Sequence, residues 1–271
     1  MTRVGITLPS FRDRAEPAID VARAADVAGL DAVFAYDHLF RRAADGTRRP
    51  AIEMFALLGA VAAETSRVGV GSLVARVSLR PAAMLAHGFD TVARIVGEER
   101  LFVALGAGDR QSAEENERYG LPFGTMADRL DVLEEGVLAG RDRGYPVWVG
   151  GHAAAVRSLA AETADGWNSW GTSVERFSSL VAPVLGGARR TPFTISWGGL
   201  VVIADDDAAA RAKADRLGAA PTTIVGGPER VAEALRAYAD AGAEWVVCGP
   251  VDSSDPENAA LLGERVAPLL H

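Results

Sequence analysis

Cysteine is nearly absent from this chain: Cys248 is the single one in 271 residues, so no internal disulfide can staple the fold and cohesion must come from a packed core. Lysine is equally scarce. Lys213 stands alone among 28 cationic residues and the others are all arginine, so an arginine here is informative by position and not by type. The four histidines, at 38, 87, 152 and 271, are far apart and lack zinc-ligand spacing, so no metal site is expected. No apolar run approaches the roughly 20 residues needed to cross a bilayer, because the Ala-rich segments carry Arg, Asp or Glu every few positions. The apolar run within Met1 to Ser10 is too short for a signal h-region, which with the lone thiol suggests a cytoplasmic protein. A basic excess is missing too. Lys plus Arg is 28 against 36 Asp plus Glu, net −8, so no overall field exists to hold nucleic acid or an anionic membrane, and chemistry on a small-molecule substrate is expected.

What is present is an ordinary globular composition, 49% hydrophobic and 24% charged. Short β-branched runs alternate with Ala-rich helical stretches from end to end, which argues a parallel sheet. The strands read as Val4–Leu8, Leu30–Tyr36, Val68–Val74, Leu101–Leu105, Val147–Val149, Gly166–Trp170, Thr194–Ile203 and Trp245–Cys248. Helices follow from Pro17, Ala51, Pro81, Ser112 (broken at Gly120–Gly124), Ala153, Glu175, Asp206 and Pro228, and Pro256–Leu270 closes the chain. Eight strand–helix pairs without a linker predict one α/β domain over residues 1–271, a (β/α)8 TIM barrel. An open dinucleotide-binding sheet would carry a glycine-rich turn after its first strand, and Pro9-Ser10-Phe11-Arg12 has no glycine.

A barrel places its chemistry where strands end. Asp37 and His38 follow the second strand and offer a carboxylate and an imidazole for proton transfer, although turns and helix caps use the same residues. Gly150-Gly151 precedes His152 and a helix, which suits either a phosphate cradle of bare amides or a tight turn needing positive φ. Gly226-Gly227 before Pro228 repeats that pattern late in the barrel. Trp167 and Trp170 flank Asn168 and can serve the core or stack on a cofactor. Cys248 is expected to pack. Arg41, Arg42, Arg48 and Arg49 lie in a polar loop that either is solvated or faces an acidic cofactor tail.

These strand ends resemble the luciferase-like superfamily of flavin- and deazaflavin-dependent oxidoreductases. The resemblance is carried by Gly5-Ile6-Thr7-Leu8-Pro9, Ala28 to His38, Gly71-Ser72-Leu73-Val74 with Arg80-Pro81, Leu105-Gly106-Ala107-Gly108, and Val147 to Gly151 with Ala161 to Trp167. Gly227 to Val231 and Tyr238 to Gly242 add to it. It implies a cofactor across the barrel mouth, with its ring over Gly71, Ser72, Leu73 and Val74 and beside Gly106, Ala107, Gly108, Asp109 and Trp170. The phosphate would lie near Gly150, Gly151 and His152, with Gly226 and Gly227 as further cradle residues. A non-prolyl cis peptide would fall at Ser72-Leu73 or Leu73-Val74. The compact chain looks most like the branch that uses coenzyme F420, which implies hydride transfer to or from a small substrate with His38 or Asp37 handling the proton; FMN is the alternative cofactor. The resemblance also implies a possible homodimer. Where the family commonly inserts a long segment before the fifth strand, Gly140 to Pro146 is a short turn, so the substrate pocket is expected to be open or closed by the Arg41–Arg49 loop. Two other readings stand beside this one: a barrel that binds flavin without catalysis, and a cofactorless lyase or isomerase, for which only Asp37 and Asp109 supply strand-end acids.

Overall fold

The alternating runs become the staves of a closed cylinder. In the computed structural model, which describes residues 1–42, 46–109 and 111–270, eight parallel strands form one ring. They are β1 (Arg3–Thr7), β2 (Ala32–Ala35), β3 (Gly69–Ser72), β4 (Leu101–Gly106), β5 (Val147–Gly150), β6 (Gly166–Trp170), β7 (Thr194–Ile203) and β8 (Trp245–Pro250). Each pairs with its neighbours in sequence, and the register Arg3↔Trp245 through Ile6↔Cys248 joins β8 back to β1. The helices outside it are α1 (Glu16–Ala28), α2 (Met54–Glu64), α3 (Ala82–Val96), α4 (Ser112–Arg118), α5 (Met126–Arg141), α6 (Ala154–Thr163), α7 (Val174–Gly187), α8 (Asp207–Leu217), α9 (Pro228–Asp240) and α10 (Glu257–Ala260). This is the (β/α)8 barrel expected from the alternation. Residues 43–45 of the arginine-rich loop, Arg110 and His271 lie outside the described residues.

Local chemistry sets the boundaries. Pro17 opens α1 where its missing N–H costs nothing, and Gly29 ends it at φ 78°. Thr125 and Asp128 cap each other's backbone to start α5 after the Gly120–Gly124 break. Ala18, Val21, Ala22 and Ala25 give α1 one apolar stripe, and it is buried against the strands. Lys213 on α8 is tied to Asp252 (2.7 Å), the Ile203 carbonyl and Asn258, which fastens the turn after β8 to the end of β7. No described helix is long and apolar enough to cross a membrane.

Three details depart from the sequence reading, and in a fourth β3 is shorter than expected while its cis bond falls at one of the two expected positions, Leu73–Val74. The polar loop after β2 contains an antiparallel hairpin, Phe40–Arg42 with Arg48–Pro50. β3 stops at Ser72, passes through a cis Leu73–Val74 bond, and resumes as Ala75–Arg76 beside β4. Ile224–Gly226 adds a short parallel strand to β7. The closing segment is not one helix: α10 gives way to π-wound Leu261–Val266 and a 3-10 turn, Ala267–Leu270. Gly263 there lies so near α1 that a Cβ would sit 2.5 Å from the Ala28 carbonyl oxygen.

The barrel interior is solid. Phe34, Phe102, Trp148 and Trp245 meet edge to face with centroids 4.9–6.2 Å apart, and the Arg3 guanidinium lies 5.2 Å from the Trp245 ring centroid. Glycines make the room: a Cβ on Gly5, Gly69 or Gly166 would strike the rings of Phe34, Phe102 and Trp148. At Gly71 it would come within 2.1 Å of the Phe102 carbonyl oxygen, which cannot swing away. Gly71→Ala is therefore expected to cost about 2–3 kcal/mol in urea denaturation. Gly59→Ala, inside α2 with open space around it, should instead stabilise by about 0.5–1 kcal/mol.

Candidate functional site

Above the four rings a second layer forms the floor of the barrel mouth. Val74, just past the cis bond, sits over Gly106 and Gly150, where a Cβ would come within 2.5 and 2.6 Å of its methyls. The Trp170 ring covers Gly198 and Gly249 in the same way and meets Tyr36 edge on, 6.0 Å and 87°. Both floor residues are partly exposed. A planar ligand at this mouth therefore rests on Val74 and Trp170 and does not enter the barrel. Two well-formed cavities lie elsewhere, about 450 Å³ between α2 and α3 and about 320 Å³ beside α8 and α10; neither includes Val74 or Trp170.

Beside this floor runs a chain of alternating charge. The Arg80 guanidinium donates to Asp37 Oδ2 (2.7 Å) and pairs with Glu53; the Arg76 amide donates to the same Oδ2 (3.0 Å) and its Nε to the Asp37 carbonyl (2.9 Å). Arg76 Nη2 then reaches Glu115 Oε2 (3.1 Å), whose Oε1 holds His38 Nδ1 at 2.7 Å. The Leu39 amide also donates to Glu115, at 2.6 Å. Asp37, Arg76 and Glu115 are 1–2% exposed, so the cost of burying them is offset by their neighbours, whereas the His38 side chain keeps 28% exposure at the rim. Burial works against the Glu115 carboxylate, but His38, the Leu39 amide and Arg76 hold it below its ordinary range. Burial lowers the Arg76 guanidinium against the pull of Glu115 and Asp37, and its Nη1 is a buried donor without a partner among the described residues. Phe11 packs 5.5 Å from the His38 ring and 6.1 Å from Tyr36. Burial pushes the Tyr36 hydroxyl up to about 12, with the Thr7 hydrogen bond and the Arg41 charge acting the other way.

Across the mouth, α6 begins at Ala153 with no side-chain cap, so its first-turn amides point outward unspoken for by any side chain. The Trp167 indole fixes the preceding loop by donating to the Gly151 carbonyl at 2.8 Å. His152 Nε2 accepts from the Trp170 amide (3.2 Å) and lies 3.3 Å from Ser169 Oγ, which places the neutral ring's proton on Nδ1. Burial and the charges of Arg157 and Arg176 lower the His152 pKa. Uncapped amides, a helix N-terminus and two guanidiniums suit a phosphate, and the flat floor of Val74 and Trp170 suits a ring.

The model for luciferase-like monooxygenases matches residues 2–221. The chain belongs to this family. An uncharacterized protein of Mycobacterium tuberculosis is 28% identical over 204 residues, 61% of this chain and 69% of that protein. An F420-dependent secondary alcohol dehydrogenase, solved with an F420-acetone adduct, superposes with a TM-score of 0.82 at 16% identity, covering 100% of this chain and 99% of that one. The oxygenating constituent of a 3,6-diketocamphane monooxygenase of Pseudomonas putida, solved with FMN, gives 0.76 at 16%, covering 98% of both chains. At these identities the solved structures share the barrel with this family member.

Against that fold the expected site residues separate. His38, Val74 and Trp170 face the mouth, and His152 lies at the α6 end. Asp37, expected to share proton chemistry with His38, is instead buried and committed to Arg80 and Arg76. Gly71, Ser72 and Leu73 lie in the wall: Ser72 Oγ donates to the Ala104 carbonyl (2.8 Å) and Leu73 packs on the interior rings. Gly106 and Gly150 make space for Val74, and Ala107 is buried. Gly108 takes φ 77° and leads into Asp109, whose carboxylate is bound to the Ser112 amide and hydroxyl at the start of α4. The Gly151 amide is also taken, by the Asn168 carbonyl, so the free donors are those of α6 and not of the glycine pair. Gly226-Gly227 does not form a second cradle: the Gly227 amide donates to the Asp207 carboxylate (2.9 Å), which would repel a phosphate. Trp167 is fully buried and stacks on Phe177. Cys248 is buried on β8 and its thiol is pushed up to about 12. The residues that the sequence reading missed are Glu115 and Arg76, with Glu53 behind Arg80.

Glu115→Ala leaves Arg76 buried without its carboxylate and is expected to cost about 3–5 kcal/mol, read by urea denaturation. His152 should titrate below 6.5 in an NMR pH series. Because its folded-state pKa is depressed, its contribution to stability is complete above about 6.5 and is lost as pH falls through the folded value.

Proposed function

We propose that this family member is an oxidoreductase that seats coenzyme F420 on the Val74–Trp170 floor and exchanges a hydride with a small organic substrate. The observation that carries this reading is His38, an imidazole held at the edge of the floor by a buried carboxylate. When bound, a deazaflavin supplies a carbon centre that gives or takes a hydride, and with carbon in place of the flavin nitrogen it favours two-electron transfer over reaction with oxygen. The protein supplies the rest. The α6 first turn, Arg157 and Arg176 would hold the phosphate, and Val74 and Trp170 would set the height of the ring. Glu115 fixes His38 through Nδ1, so Nε2 is the atom left to give a proton to a substrate oxygen or take one from it. Phe11 and Tyr36 narrow the water around that atom.

A second reading, an FMN-dependent monooxygenase, draws on the same cradle, since one helix N-terminus with two arginines accommodates a single phosphate of either cofactor. Fluorescence titration separates them. Quenching of F420 at micromolar concentration with weak binding of FMN supports the first reading; tight FMN binding with no response to F420 overturns it. With the cofactor established, His38→Ala should lower turnover by about 10²–10⁴-fold while cofactor affinity holds. Unchanged turnover would remove His38 from the chemistry.

A further inference from the structure

The hairpin after β2 carries an electrostatic conflict that no acidic group among the described residues resolves on one of its faces. Its register sets Arg41 opposite Arg49 and Arg42 opposite Arg48. Like charges directly across an antiparallel pair destabilise it, and a three-residue ribbon has few ladder bonds to offset that. Side chains alternate between faces. One face, with Phe40, Arg42, Arg48 and Pro50, is accommodated: Phe40 is buried, Arg42 pairs with Glu114 of α4, and the Arg48 guanidinium lies 5.6 Å from the Phe40 ring centroid. The other face presents Arg41 and Arg49, and neither has an acidic partner among the described residues. That face looks onto the mouth: the Arg41 guanidinium lies 5.5 Å from the Phe11 centroid, Phe11 packs on His38, and the Arg41 charge is felt by the Tyr36 hydroxyl. In a chain of net charge −8, two guanidiniums held together beside His38 with no acidic partner among the described residues are a local exception to the protein's field.

We propose that the Arg41–Arg49 face is an anion subsite that binds a carboxylate or phosphate ester on the substrate. That the anion belongs to the substrate rests on the oxidoreductase reading and its cofactor placement; that the face binds an anion does not. The phosphate cradle at α6 follows β5, whereas the hairpin follows β2, three strands round the ring. A cofactor anchored at α6 with its ring on Val74 and Trp170 thus leaves the hairpin at the far, substrate end. A carboxylate there accepts from both arginines, relieves their repulsion, and sets the rest of the molecule against Phe11 and His38.

The test is calorimetric titration at low salt with glutarate and with its uncharged dimethyl ester, on the wild-type protein and on Arg41→Gln/Arg49→Gln. Glutarate should bind the wild type and lose about tenfold or more in affinity in the double variant, with the ester indifferent to the change. Arg41→Lys/Arg49→Lys, which keeps the charge, should recover most of that loss. Equal glutarate affinity in both proteins, or none in the wild type, overturns the proposal. The thermal midpoint of the Gln variant should equal or exceed that of the wild type, since a repulsion is removed; a marked drop would mean that the arginines hold the hairpin together, and would also overturn it. Titration of the same proteins with F420 and with FMN distinguishes the source of the anion. Affinities unchanged within about twofold keep the subsite for substrate, while a selective loss of F420 affinity reassigns it to that cofactor's acidic tail and overturns the substrate assignment. The glutarate arm needs no cofactor, so it stands even where the deazaflavin reading fails.

Discussion

A closed ring of eight short strands encloses a fixed volume, and in this protein four aromatic rings claim all of it. The strands come closest to those rings at Gly5, Gly69 and Gly166, where a Cβ would strike them, and at Gly71 a Cβ would strike the Phe102 backbone. The rest of the architecture follows from that competition for space. With the interior filled, no ligand can be swallowed, and function is displaced to the rim. The break in β3 then matters, because it lifts Val74 out of the wall and over Gly106 and Gly150, and so completes a surface that the rings below would otherwise leave uneven.

Electrostatics at the rim obeys a comparable economy of partners. Arg80, Asp37, Arg76 and Glu115 alternate in sign from the outer edge of β3 toward the mouth, where Glu115 ends on the His38 imidazole. Burial of such groups alone would be costly; contact with opposite charge offsets that cost. Asp37, Arg76 and Glu115 are closed off, whereas Arg80 is partly exposed and His38 is open at the rim. The network thus delivers one exposed imidazole whose back is held, while its strongest acids are consumed in holding it. The unpartnered Arg76 Nη1 marks the one imperfect joint in this chain, directly behind the floor.

The fold was legible because β-branched runs alternate with Ala-rich helical stretches through the eight strand–helix units, and because a barrel sends all its strand ends to one face. This is why His38 and Trp170 could be picked from sequence. Glu115 could not: it lies 77 positions from His38 on a short helix, and only closure of the ring brings them to 2.7 Å. Asp37 misled for a related reason, since adjacency in sequence says nothing about Arg76 and Arg80, which arrive from the β3 break. The two Gly-Gly pairs look alike as text, yet Asp207 occupies one and leaves the other to a helix end. The arginine hairpin escaped notice because three-residue strands of charged residues carry no apolar alternation to read.

The near-replacement of lysine by arginine acquires a consequence once the burial of the other weak acids is known. Guanidinium groups stay protonated at any pH that a protein survives. Above neutrality, protons can leave only tyrosines, the thiol, Lys213 and the terminal amine, and Tyr36, Tyr145, Tyr238 and Cys248 among these are held back by burial, while Tyr119 is exposed. The molecule therefore gains less negative charge in alkaline solution than its tyrosine and cysteine content alone would give it. Its electrophoretic mobility and colloidal behaviour there are buffered by packing.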